Sequence, residues 1–259
     1  MSAADQGPAD SPLTREQVLD ELEFLAKVEH ALIVECLSVC YALGYDLGPD
    51  EGGPATGQGG GEAAGAAMSL ARNTEMFHLD DLNVALIHAG RLPQMNWAAS
   101  ISGASGSDIP LGPPDLAQLQ QLVVREQAIA AAVDARYARL APAVTSDPVF
   151  DGDLLNELQP IIVDRGTGHA TAFAAITDPL VGLAPADYLR ATRRQAADSF
   201  EQRLLDASDR AYRLIIDALT DQFATASTFS TFAISAMRVM DDTNRLLAQR
   251  GLLPPFTSP

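Results

Sequence analysis

Two metal-ligand side chains stand three residues apart in the segment Glu75-Met-Phe-His78. On an α-helix this spacing puts a carboxylate and an imidazole on the same face, less than one turn apart. Carboxylate and imidazole groups are ligands for several transition metals. A lone pair of this kind occurs often by chance, so it indicates a metal site only if other helices supply further ligands.

Further ionisable groups fall within apolar helical stripes, in which hydrophobic residues recur at steps of three and four. Four such stripes each carry at least one ionisable group near the centre: Glu29 in the first, Glu75 and His78 in the second, Glu126 in the third, Arg165 and His169 in the fourth. Buried carboxylates are rare unless they are paired or bind a metal. The convergence of four stripes therefore predicts a buried transition-metal site.

A metal-free buried polar network is the alternative. Glu29 could pair with Arg165, and Glu126 could pair with Arg165 or with Arg125. His30, Glu35 and His88 lie off the stripes, and we interpret them as surface groups or as outer neighbours of the site.

Helical periodicity dominates the chain, and no segment alternates cleanly like a strand. The pattern predicts six helices, over about Leu13–Leu43, Glu62–Ala89, Asp115 to before Pro142, Asp153–Ile176, Ala186–Phe223 and Ser227–Arg250. The fifth of these could be broken in its middle. Thr14 and Gln17 can form a capping box at the first helix, and Gly44 can end it. Pro160 is expected to kink the fourth helix or to mark its true start.

These helices predict an all-α protein, a four-helix bundle with two additional C-terminal helices. We expect a disordered N-terminus over residues 1–12, the bundle over 13–180, and C-terminal helices over 181–259 that pack on it in the same domain. The Gly-rich stretch after Gly44 is interpreted as a linker. The long connection around Trp97, the only tryptophan, is expected to be a crossover or functional segment.

Composition excludes several classes of partner. The 259-residue chain has a formal net charge of −17, which disfavours nucleic acid and anionic membrane surfaces. The acidic start has no signal-peptide pattern, and Ala31–Leu43 is too short to span a bilayer. We therefore expect a cytoplasmic protein. Cys36 and Cys40 are interpreted as small core residues.

Several of these segments resemble the ferritin-like superfamily. The first helix contains LAKVEHALIVECL, the second contains NTEMFHLDDLNVALIHAGRLP, and the third contributes Glu126. More narrowly, the Glu-His-Ala and Glu-Met-x-His-Leu motifs, with the element Asp108-Ile-Pro-Leu111, resemble the ferritin-like domain of violacein-type iminophenylpyruvate dimer synthases. The resemblance covers about residues 14–180.

The resemblance implies a di-metal ligand set. Its pattern is one Glu, then Glu-x-x-His, then one Glu, then a second Glu-x-x-His. Carried over to this sequence, the ligands are Glu29, Glu75, His78, Glu126 and His169. The fourth part departs from the pattern, because Gly166 stands three residues before His169. A π-bulge could bring Asp164 into the site as the sixth ligand, and Arg165 could stand in as a fixed positive charge.

The function implied is a metal-dependent oxidase or oxygenase with two iron ions per chain, or manganese. It would use dioxygen on a small molecule, in natural-product biosynthesis. One alternative is an imine-coupling or cyclising enzyme with little metal dependence, in which Arg165 anchors a carboxylate. Another is a non-catalytic metal-binding or structural bundle. A homodimer is the default oligomer.

Overall fold

A computed structural model describes residues 12–44, 60–165, 168–225 and 231–257. The side chains of Arg165 and Thr231 also lie outside the described part. The predicted disordered N-terminus, apart from Pro12, and most of the predicted Gly-rich linker fall outside these ranges.

Helices form most of the described chain, and the predicted all-α class is confirmed. They are α1 (Arg15–Leu43), α2 (Gly60–His88), α3 (Leu116–Gln120), α4 (Leu122–Leu140), α5 (Gly152–Gln159), α6 (His169–Thr177), α7 (Pro185–Tyr188), α8 (Ser199–Thr225) and α9 (Thr231–Gln249). Among the described residues, no helix is both long and apolar enough to cross a membrane.

The predicted limits of α1 are confirmed at both ends. The Thr14 hydroxyl accepts a hydrogen bond from the backbone N–H of Gln17, and the Gln17 side chain accepts one from the N–H of Thr14. Gly44 ends the helix at φ 70°, in the left-handed region that glycine tolerates best.

The connection after α2 contains a small hairpin, which the sequence pattern did not indicate. Strands β1 (Ser100–Ser102) and β2 (Asp108–Pro110) pair antiparallel, with Ile101 opposite Ile109. Each strand has three residues, which is too short for an alternating pattern to stand out in the sequence. Burial of Ile101 anchors the hairpin to the core.

The predicted fourth helix is divided into three pieces. After α5 the chain forms a π-helical segment over Pro160–Arg165, and α6 begins at His169. Pro160 lacks a backbone N–H and cannot continue the α-helical hydrogen bonding, which is the physical reason for the predicted irregularity. Gly168 precedes α6 at φ 128°, a conformation that other residues rarely adopt.

The predicted fifth helix is interrupted between α7 and α8, nearer its start than the middle at which a break was expected. The chain there leaves the helix and pairs with the C-terminal segment, since Arg193 N donates to Gly251 O at 3.0 Å and Leu253 N donates to Arg193 O at 2.7 Å. The C-terminal residues Leu252, Leu253 and Phe256 are buried. A helical pattern in the sequence gave no sign of this long-range backbone pairing.

The bundle around the predicted site consists of α1 against α2, with α4 and α6 closing the other side. Helices α8 and α9 pack on each other, and side-chain bonds attach them to α1. Tyr41 donates to Asp241 at 2.7 Å, and Tyr212 lies 2.7 Å from His30 Nε2. Almost the whole central part of α1 is buried as a result.

The surface interpretation of the groups off the stripes was wrong for His30 and Glu35, which are buried beneath neighbouring elements. His88 does lie at the surface, where its Nδ1 is 2.8 Å from Glu157.

Asn83 attaches the connection that follows α2. Its buried Oδ1 accepts the N–H of Gln94 at 2.6 Å, and its Nδ2 donates to the Gln94 carbonyl at 3.4 Å.

We expect Asn83→Ala to lower the free energy of unfolding by about 1–3 kcal/mol, because it leaves both backbone groups without their partner. Urea denaturation measures this. Asn73→Ala, at an exposed position of the same helix, is the control and should change stability by under about 0.5 kcal/mol. Equal losses in the two variants would contradict this role of Asn83.

Candidate metal centre

Four buried ligand side chains from three helices meet in the core. Glu29 comes from α1, Glu75 and His78 from α2, and His169 from α6; one ligand atom from each lies within 4.8 Å of the other three. We call these four residues the Glu/His group. The structure thus brings together four of the predicted ligands.

The distances within the Glu/His group leave atoms without partners. His78 Nδ1 is 2.9 Å from Glu75 Oε2 and 3.6 Å from Glu29 Oε2. His169 Nε2 is 3.4 Å from Glu75 Oε2 and 3.8 Å from Glu29 Oε1. Glu29 Oε2 and His169 Nε2 are fully buried and have no hydrogen-bond partner. Leaving such atoms unpaired is costly, and a metal ion between them would satisfy both.

Local sequence explains how α1 and α2 supply their ligands. Glu29 lies between the fully buried Leu25 and Leu32 on the inner face of α1, so its side chain is drawn into the core with that face. Glu75 and His78 are three residues apart on α2 and point to the same side of that helix.

His169 is positioned by Asp134 of α4, which sequence reasoning did not identify. The Asp134 carboxylate accepts the backbone N–H groups of Gly168, His169 and Ala170 at 3.0–3.1 Å and therefore caps α6 from another helix. It also lies 2.9 Å from His169 Nδ1. With a proton held at Nδ1, the Nε2 lone pair faces the Glu/His group, which is the arrangement of a metal-binding histidine.

Tyr137 of α4 is a second partner that the sequence did not reveal as polar. Its hydroxyl donates to Glu29 Oε1 at 2.6 Å, and its ring stacks on that of His169 with centroids 5.8 Å apart. Tyr137 occupies the same predicted stripe as Glu126, eleven residues further on, which is close to three full turns. This spacing indicates that Tyr137 faces the core, but a tyrosine in an apolar stripe is ordinarily a packing residue, so the spacing alone did not identify it as a hydrogen-bond donor.

The protonation of the metal-free group follows from its mutual contacts. Burial opposes a charged His78, but the close contact with Glu75 and the negative charges of Glu29 and Glu75 raise its pKa from 6.5 to about 9. Burial likewise opposes a charged His169, but Asp134, Glu29 and Glu75 raise its pKa well above its usual value. Two imidazolium ions then balance two carboxylates. A divalent metal ion that replaces two protons leaves the core equally neutral.

Glu126 is buried but lies outside the Glu/His group. It contacts Arg125, whose NH1 is 3.3 Å from Glu126 Oε1, as in the polar-network alternative. Burial raises the pKa of Glu126 to about 7, and the charge of Arg125 opposes that rise. Glu126 therefore has a cationic partner already, separate from the four converging ligands.

Asp164 is exposed and lies beside the Glu/His group rather than within it. It belongs to the π-helical segment Pro160–Arg165, the kind of irregularity that was expected to reorient it. The side chain of Arg165 lies outside the described residues, so its predicted catalytic role stays a prediction.

A cavity of about 480 Å³ connects the Glu/His group with solvent. Its base contains Glu75, His78 and His169, and its walls contain Thr74, Phe77, Asp164, Gly168 and Ala172. Phe77 is 68% exposed, so the cavity reaches the surface. The two imidazoles and one of the carboxylates thus line the inner part of the cavity, while their side chains remain almost fully buried.

Comparison with known proteins supports the fold. No protein-family model matches the sequence, and no curated protein matches it. A ferritin-like protein from Caulobacter vibrioides matches the structure with a TM-score of 0.62 and 14% identity, over 95% of this chain and 99% of that chain. The ferritin-like bundle fold is thus confirmed. The narrower resemblance to violacein-type synthases stays a prediction.

The pKa of His78 predicts how the stability of the metal-free protein depends on pH. Because the pKa is raised on folding, the contribution to stability is complete below pH 6.5 and is lost as the pH rises through about 9. We expect the free energy of unfolding to fall over this window, by up to about 3 kcal/mol for a shift of this size. Urea denaturation of chelator-treated protein at several pH values measures this.

His78→Asn is expected to reduce this pH dependence, with the remainder due to His169, whose pKa is also raised. His88→Asn, at the exposed histidine of the same helix, should preserve the profile. A metal-free protein whose stability is constant from pH 6.5 to 9 would show that His78 is not charged in the folded state.

Proposed function

We propose that the Glu/His group binds iron, with manganese as the second candidate. On this basis we further propose that the protein is an oxidoreductase that uses dioxygen on a small molecule. The observation that carries the proposal is the convergence of four buried ligand side chains, two with unpartnered atoms, at the base of a cavity open to solvent.

The donor set fits such an ion. Two carboxylates and two imidazoles are ligands that suit iron, manganese and zinc. Their two negative charges balance one divalent cation in a largely buried site, where an unbalanced charge would be costly. The ferritin-like fold is consistent with this site, because bundles of this kind build metal sites from side chains on facing helices.

Iron at such a site would supply one-electron and dioxygen chemistry. The side chains of this protein would bind the ion and fix the orientation of its ligands. Glu29, Glu75, His78 and His169 would hold the ion. Asp134 fixes the His169 ring, and the Tyr137 hydroxyl donates to one oxygen of Glu29. The apolar residues around the group exclude bulk water from one side, so reactive species are exposed only towards the cavity.

The substrate would enter past Phe77 and Asp164. A cavity of about 480 Å³ is in the range of small-molecule sites. Its wall combines an aromatic ring with a hydroxyl and a carboxylate, from Phe77, Thr74 and Asp164. This wall suits a small organic molecule with both apolar and polar parts.

The decisive experiment is the metal content of purified protein, wild type against Glu75→Gln. The substitution keeps the shape of the side chain but removes a charged ligand, so we expect bound metal to fall at least about tenfold. Elemental analysis after reconstitution with ferrous iron under anaerobic conditions measures this. Glu62→Gln, at an exposed position of the same helix, is the matched control and should retain the wild-type content.

Wild-type protein that takes up no metal would overturn the proposal and favour the metal-free imine-coupling alternative. Metal uptake without dioxygen consumption, tested with an oxygen electrode and a panel of small aromatic and aliphatic substrates, would favour the non-catalytic metal-binding alternative.

We expect Asp134 to affect the metal affinity of the Glu/His group, although it is not one of the four ligands. We expect Asp134→Asn to lower metal affinity by about 10–100-fold, because the His169 ring loses the carboxylate that fixes its orientation. Competition with a chromogenic chelator gives the affinity. Asp147→Asn, at an exposed aspartate outside the site, should leave it unchanged. An unaltered affinity in Asp134→Asn would show that the cap of α6 is structural only.

A further inference from the structure

A buried arginine occupies a second polar site in the same core. The Arg125 guanidinium contacts both oxygens of the Glu35 carboxylate, with NH2 at 3.1 Å from Oε2. Its NH1 is 3.3 Å from Glu126 Oε1, and its NH2 donates to the Pro110 carbonyl at 2.7 Å. All three side chains are buried. We call Arg125, Glu35 and Glu126 the Arg125 group.

We infer that this bundle binds one metal ion rather than two, and that the Arg125 guanidinium takes the place of a second cation. The inference rests on the proposed metal binding at the Glu/His group and specifies its stoichiometry. Arg125 is then a residue that determines metal number, although it touches none of the four ligands.

The distribution of charge supports a single ion. Glu29 and Glu75 supply two negative charges, which one divalent ion balances. The next buried carboxylates, Glu35 and Glu126, already contact a guanidinium that stays protonated in proteins. These two carboxylates and one guanidinium leave at most one negative charge in the Arg125 group. That is fewer than the two positive charges of a second divalent ion, so adding that ion to the described core is unfavourable.

The placement of the two groups also argues against a shared pair of ions. Glu35 is six residues beyond Glu29 on α1, about 9 Å along the helix axis. Six residues also turn about 240° around the axis, so Glu29 and Glu35 leave α1 in different directions and not towards one pair of ions. Glu126, the predicted ligand of the third helix, contacts the same guanidinium as Glu35, that of Arg125. A bridging role between two ions would require Glu126 to leave this partner.

The surroundings of Arg125 are nevertheless those of a cation site. Two carboxylates and one backbone carbonyl are oxygen donors that Mn²⁺ accepts. The second carboxylate oxygen, Glu126 Oε2, is fully buried and has no hydrogen-bond partner, so it is available to a cation in this space. Removal of the guanidinium should therefore convert the Arg125 group into a second metal site.

The test begins with the wild-type chain, which needs no substitution. Metal-free protein is titrated with Mn²⁺, dialysed to remove weakly held surface ions, and examined by elemental analysis and electron paramagnetic resonance. We expect one Mn²⁺ per chain with the spectrum of an isolated ion. Two ions per chain, or a spectrum of two coupled ions, would overturn the inference while leaving the proposed function intact. No bound ion with either Mn²⁺ or Fe²⁺ would overturn both.

The second arm is Arg125→Met, compared with Arg139→Met at an exposed arginine of the same helix. We expect the metal-to-protein ratio to double from one to two in Arg125→Met and to remain one in the control. Arg125→Met combined with Glu126→Gln should return the ratio to one. A folded Arg125→Met protein, checked by circular dichroism, that still binds a single ion would overturn the role of Arg125. If this variant fails to fold, the wild-type spectrum still decides the stoichiometry.

Discussion

Burial of ionisable groups is the constraint that shapes this bundle. Four charged or chargeable ligands lie in the core between α1, α2 and α6, where water cannot solvate them. Each of these buried groups is stabilised by contact with a specific partner. His78 and His169 face the two carboxylates, Asp134 contacts His169 from α4, and Tyr137 donates to Glu29. These contacts also fix the orientation that a metal site requires, so stability and function depend on the same interactions.

The irregular start of α6 follows from this constraint. A continuous helix through Pro160 could not place His169 at a helix N-terminus with three free N–H groups beside it. The π-helical segment and the positive φ of Gly168 do so, and one carboxylate, Asp134, satisfies the backbone and the imidazole together. Departure from regular helix geometry at a ligand-bearing turn is common at functional sites.

The sequence left Glu126 two possible arginine partners, Arg125 and Arg165. The side chain of Arg165 lies outside the described residues, so its expected role as a fixed charge stays a prediction. In the described core the buried guanidinium that contacts Glu126 belongs to Arg125. Its bond to the Pro110 carbonyl also connects the β-hairpin to the bundle. The long connection after α2 therefore covers the core and completes the polar contacts within it. Helix α8 acts similarly on the other side, where Tyr212 meets the buried His30.

The sequence by itself determined the helical class, the limits of α1 and α2, and four of the residues that converge in the core. The spacing of apolar residues is sufficient for this, because a stripe identifies the inner face of a helix and any ligand on that face points inward. Only the tertiary structure decided which buried groups meet. Periodicity fixes neither the rotation of a helix about its axis nor its shift along a neighbour. The pairing of Glu126 with Arg125, the cap that Asp134 gives α6, and the backbone pairing of Arg193 with Gly251 all depend on those two quantities.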